Sequence, residues 1–86
     1  MKTIKEGFCL VVLDQGFIFL GNLEIKGDFG VIKNARCLRR WTSGRGLEWH
    51  IEEGGKIDTV IDGKGRDRKF HISKLQNWAK TDEAIW

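Results

Sequence analysis

The chain reads as mainly β with one short helix, folded as a five-stranded antiparallel curved sheet or a small, partly open barrel. Three observations predict this. Eleven glycines and no proline occur in 86 residues, and the glycines separate apolar stretches of about five to ten residues, the spacing of an antiparallel β domain. Several of those stretches alternate apolar and polar residues with the period of a strand. A single helix is expected, Leu47 to Glu53, where Leu47 and Ile51 are four apart and Gly54 follows.

The elements follow in order. Phe8-Cys9-Leu10-Val11-Val12-Leu13 is apolar at both parities, which predicts a strand covered on both faces, and Asp14-Gln15-Gly16 supplies turn chemistry after it. Phe17, Phe19, Gly21, Leu23 and Ile25 then share one face while Asn22, Glu24 and Lys26 share the other. This predicts a half-exposed second strand with a small residue where the sheet bends. Lys26-Gly27-Asp28-Phe29-Gly30 reads as a turn and Val31 to Leu38 as a third strand, completing a meander. After Trp41, Thr42-Ser43-Gly44-Arg45-Gly46 is a loop into a two-turn helix, Leu47 to Glu53, stopped by Gly54. Lys56–Ile61 and Lys69–Leu75 are two further strands joined by an Asp62-Gly63-Lys64-Gly65 hairpin loop, with Ile57, Val60, Ile61, Phe70 and Ile72 facing inward. Thr81 to Trp86 begins as a capped helical turn and returns Trp86 to the core.

Length and composition limit the function. At 9.9 kDa the chain makes one compact domain, residues 1–86, too small for a large multi-step enzyme. Its 41% apolar residues, with five Phe and four Trp, supply a core without a staple. No apolar run is long enough to cross a bilayer and no signal-peptide pattern opens the sequence, so a cytoplasmic location and no membrane partner are expected. Cys9 and Cys37 then read as reduced, buried thiols.

Fifteen basic residues against twelve acidic ones leave a surplus of three. Residues 1–35 balance four against four, so the entire surplus lies in residues 36–86. Arg36, Arg39, Arg40 and Arg45 surround Trp41 with no intervening acid. Guanidinium forks match phosphate and carboxylate oxygens, and an indole face stacks bases, so this constellation reads as an anion or nucleotide site. The plainer reading makes the arginines solvated strand-end charges whose stems cover Trp41 as a core anchor. Lys64, Arg66, Arg68 and Lys69 form a second basic cluster, interrupted only by Asp67, and the plainer reading there is a soluble hairpin tip that suppresses edge pairing. Lys64, Arg66 and Arg68 would join the first cluster in one positive rim if the two loops meet in space.

Catalytic and cofactor chemistry finds little support. Gly63-Lys64-Gly65-Arg66 lacks the Gly-Lys-Ser/Thr ending of a phosphate-binding loop, and Cys9, Cys37, His50 and His71 have no metal-ligand spacing. The adjacent Glu52 and Glu53 point about 100° apart on a helix, and His50 and His71 read as satisfied or solvent-facing. A non-enzyme without a cofactor is expected.

The segment Gly16 to Leu23, the turn Lys26-Gly27-Asp28, Val31-Ile32-Lys33-Asn34-Ala35-Arg36 leading to Arg39-Arg40-Trp41, the loop-helix Ser43–Glu52 and Thr81 to Trp86 together resemble a family of small, uncharacterised phage and prophage proteins. The likeness spans about residues 8–86, and this sequence departs from the pattern in placing Cys37-Leu38 between Arg36 and the basic pair. The family offers no catalytic residues to transfer. What the resemblance implies is a phage accessory protein that inhibits host defence by binding, either blocking a CRISPR-type nuclease complex or trapping an anionic nucleotide signal. The alternatives are a sequence-tolerant nucleic-acid-binding module and a structural subunit that forms homo-oligomers.

Overall fold

The computed structural model describes residues 3–41, 47–54 and 59–86, apart from the side chains of Arg40, Trp41, Leu47 and Thr59. Among these residues the strands are β1 Thr3–Leu13, β2 Ile18–Lys26, β3 Phe29–Trp41, β4 Thr59–Ile61, β5 Arg66–His71 and β6 Leu75–Lys80. The helix α1 spans Leu47–Glu53, and short 3-10 turns occupy Asp14–Gly16, Ile72–Lys74 and Glu83–Ile85. All strand pairs are antiparallel and form one open, curved sheet. The mainly β class is therefore correct, with six strands in place of five.

β1, β2 and β3 form the expected meander, and β6 returns to the free edge of β1, pairing Leu10 with Ala79 while Leu20 faces Leu10 from the other side. The first strand thus has neighbours on both edges. It is also covered on both faces, as its apolar parity requires. Cys9 and Val11 join Phe19, Leu23, Ile32, Ala35 and Phe70 in one core, whereas Leu10 joins Leu20 and Leu38 in a second. The first core draws Phe70 from β5 and a flanking Leu75 from β6, strands attached to opposite sides of the sheet, so the sheet curls around it. The second core lies on the other face beneath Ile51 of α1, Ile61 of β4 and Trp86. Complete burial of a side chain such as Leu10, Leu20 or Leu23 contributes about 1.5–3 kcal/mol.

Four sequence expectations need correction. β2 is not half-exposed throughout, because Leu20 is buried and Ile18 packs against the second core. Lys69–Leu75 is not one strand, since the turn at Ile72–Lys74, where His71 Nδ1 accepts from the Ser73 N–H at 3.1 Å, divides β5 from β6. β4 and β5 are not a hairpin. Both pair with β3, which at 13 residues is long enough to hold them end to end. Val60 faces outward at 41% exposure, and Ile57 lies outside the described residues.

The small residue in β2 has a steric reason. β3 inserts an extra residue opposite Gly21, the register passing from Leu20↔Arg36 to Asn22↔Lys33. A Cβ at Gly21 would lie 2.7 Å from both Ile32 Cγ2 and the Lys33 carbonyl oxygen. Gly54 ends α1 as expected: its φ of +82° suits glycine, and its N–H donates to the His50 carbonyl at 2.8 Å. The segment 81–86 then lies against the helix, with the Thr81 hydroxyl donating to the Ile51 carbonyl (2.7 Å) and the Trp86 indole N–H donating to Thr81 Oγ1 (2.9 Å). Trp86 does return to the core, while the capping side chain of its turn is Asp82.

Candidate functional site

The sheet opens where the strand that accompanies β3 is interrupted. Ala35 pairs with Arg66 and Leu38 with Ile61, but between them Asp62–Gly65 leaves the ladder. A groove of about 370 Å³ results, lined by Ala35, Cys37, Arg39, Asp62, Gly63, Lys64, Arg66 and Arg68. Its far rim is anchored by the Asp62 N–H, which donates to the Cys37 carbonyl at 3.1 Å.

Strand parity explains the charge of the groove. Arg66, Arg68 and Phe70 share one face of β5, so the alternation that buries Phe70 also turns the two arginines into the groove. Asp67, which interrupts the basic run in sequence, is drawn away. Its carboxylate accepts from the Asn34 N–H at 3.0 Å and from Lys33 Nζ at 3.3 Å. Both interactions stabilise the carboxylate form, the backbone bond most, and hold the Asp67 pKa below its ordinary value. Asn34 is available because it stands at the β3 bulge with φ +55°, leaving its N–H free of the ladder.

Arg39 enters from β3. Its Nε donates to Asp62 Oδ1 at 2.7 Å and its Nη2 to Oδ2 at 3.4 Å, a two-pronged contact that pushes the guanidinium pKa up further. Arg39 stays 63% exposed, so the pair positions its side chain more than it stabilises the fold. Among the described residues, no carboxylate pairs with Lys64, Arg66 or Arg68. Four cations against Asp62 leave the groove a formal excess of three positive charges.

Of the residues singled out from the sequence, Arg39, Lys64, Arg66 and Arg68 meet here, so part of the first basic cluster does join the second. Arg36 does not. It lies on the opposite face of β3, paired with Leu20 over the second core. The backbones of Arg40 and Trp41 end β3, while their side chains and all of Arg45 fall outside the described residues.

Sequence reasoning missed the aromatic wall. Phe17, grouped with Phe19 on one face of the second strand, precedes that strand and is 53% exposed. Its ring lies 18° from parallel to Phe19, with centroids 6.5 Å apart, and the Arg68 guanidinium sits 5.2 Å from the centre of the Phe19 ring. One depression beside Phe17 is lined by Leu13, Asp14, Phe19, Arg68, Lys69 and Phe70, the Asp14 carboxylate being paired with Lys74; another reaches Ile18, Cys37 and Arg39. The first shares Arg68 with the basic groove and the second shares Cys37 and Arg39 with it, so both adjoin it. Cys37 is a free, partly exposed thiol within it, whereas Cys9 is fully buried and burial raises its pKa. The nearest signal for Phe17 in the sequence was its place directly after Gly16.

His50 is fully buried with its ring edge-on to Trp49 at 5.0 Å, and His71 is exposed beside Ser73. Among the described residues, no group of three His, Cys, Asp or Glu side chains could hold a metal ion, and no helix is long and apolar enough to cross a membrane. The arrangement sets an excess of positive charge beside a flat apolar surface. Comparison with known protein families, with curated proteins and with solved structures finds no match to this chain.

Proposed function

We propose that the protein is a non-enzymatic binding module that captures a phosphate-bearing ligand in the groove beside the β4–β5 break. The carrying observation is the convergence of Lys64, Arg66 and Arg68 on Arg39 while Asp67 is engaged elsewhere. Guanidinium groups in such a groove meet phosphate oxygens through charge-assisted hydrogen bonds. The resemblance to phage proteins supplies the setting: capture of an anionic nucleotide signal in the host cytoplasm, countering a defence system that depends on it. A second reading, a sequence-tolerant nucleic-acid binder, draws support from Arg68 and Lys69, which carry positive charge past the groove along β5.

Cys37 provides the measurement. A thiol reagent should modify Cys37 and spare buried Cys9, and a ligand in the groove should protect Cys37. In a panel of nucleotides and oligonucleotides, Arg66→Glu should weaken protection at least about tenfold, since hydrogen bonds to charged groups contribute roughly 1.5–3 kcal/mol. Asp62→Asn, which releases Arg39 from its carboxylate, should strengthen it. Equal protection of the wild type and Arg66→Glu would remove the groove as the binding site.

A further inference from the structure

We infer that Phe17 is a base-stacking platform and that the ligand of this face is single-stranded nucleic acid, its backbone following Arg39, Arg66 and Arg68 while a base rests on the Phe17 ring. This rests on the phosphate-binding reading of the groove and, of the two ligands named for it, selects the nucleic-acid strand in place of the nucleotide signal.

An exposed phenylalanine by itself requires no explanation. Phe17 differs in how it is held and in what surrounds it. The turn that presents it is closed by the Leu13 N–H donating to the Phe17 carbonyl at 2.8 Å, and Asp14 in the same turn pairs with Lys74 at 3.4 Å. Behind it lies Phe19, nearly parallel and carrying Arg68 over its ring. The orientation of Phe17 is therefore set before any ligand arrives, which lowers the entropic cost of binding.

The surroundings select the ligand. The depression of about 230 Å³ on one side of Phe17 shares Arg68 with the phosphate groove, and that of about 310 Å³ on the other shares Cys37 and Arg39 with it. Arg68 and Lys69 thus lie on one side of the exposed ring and Arg39 on the other, while Asp14, the acid beside it, is paired with Lys74. Shallow, adjoining compartments suit an extended chain better than a compact molecule. A chain that alternates flat apolar faces with negative charge is an unpaired nucleic-acid strand. In a duplex the bases are already stacked, so it would meet the arginines and leave Phe17 unused.

Fluorescence anisotropy with a labelled oligothymidylate of roughly ten nucleotides, within the span of such sites, tests this against the matching duplex and thymidine monophosphate. The single strand should bind most tightly. Phe17→Ala should weaken it roughly 5- to 150-fold, the range for loss of one base–aromatic contact, and leave duplex affinity unchanged. Phe17→Trp should retain binding. Phe17→Leu, which keeps apolar bulk but lacks a flat face, should lose it and serves if the alanine variant folds poorly. Arg66→Glu separates the two levels of inference. If Arg66→Glu abolishes binding while both Phe17→Ala and Phe17→Leu bind like the wild type, stacking is overturned and phosphate capture stands. If Arg66→Glu also binds like the wild type, both fall. Equal or tighter binding of duplex or monophosphate would overturn the assignment to a single strand.

Discussion

At the scale of single residues, the most informative side chain is an acid that leaves a basic site. Asp67 lies between Arg66 and Arg68, yet its carboxylate is committed to the Asn34 N–H and to Lys33. Because these contacts hold its folded pKa below the ordinary value of 3.8, the stabilisation is complete above that value and lost as the pH falls through the folded one. Asp67→Asn keeps an oxygen for the Asn34 N–H but removes the titration. Chemical unfolding across a pH series should show the variant less stable than the wild type near neutrality and the two converging well below pH 3.8. None of this was legible along the chain. Asn34 and Asp67 meet only because β3 carries an extra residue opposite β5, and a bulge leaves little trace in an alternation pattern. The basic residues were visible individually, but the neutralisation of Arg39 by Asp62, 23 positions away, depends on the course of β4.

At the scale of elements, local chemistry was legible wherever it was self-sufficient. The two-sided apolar run of β1, the spacing within α1 and the glycine that stops it all appear where expected. The break between β5 and β6 did not, because Phe70 and Ile72 continue one parity through it and its His71–Ser73 bond has no distinctive sequence mark. Phe17 was misplaced for a related reason: its parity matches Phe19, and alternation cannot tell the first residue of a strand from the last residue of a turn. The join between α1 and the segment 81–86 makes a direct prediction. Thr81 both donates to Ile51 and accepts from Trp86, so Thr81→Val removes two hydrogen bonds at nearly constant volume. A loss of about 1–3 kcal/mol is expected by thermal or urea unfolding. Indole fluorescence should show whether Trp86 loosens as well.

At the scale of the whole molecule, the division of labour follows from β3. Its length lets β2 occupy one edge while β4 and β5 share the other, and the groove lies where that second edge is vacated. A binding surface made from a gap in a ladder draws its rigidity from the paired strands at both ends. The two cores on opposite faces of β1 tie these parts together through one strand. Removing residues 75–86 should therefore do more than shorten the chain. It would take β6 from β1 and Trp86 from the second core, and size-exclusion chromatography should show the shortened protein associating through the bared edge.

The pairing of β1 with β6 also governs how the protein is made. On the ribosome the β1–β2–β3 meander can form early, but the outer side of β1 stays unpaired until residue 80 has emerged. Until β6 arrives, the outer edge of Cys9–Leu13 is an adhesive strand. Cys9–Leu13, the stretch that β6 covers, carries no charged side chain, so the docking of β6 is itself the protection against neighbouring chains.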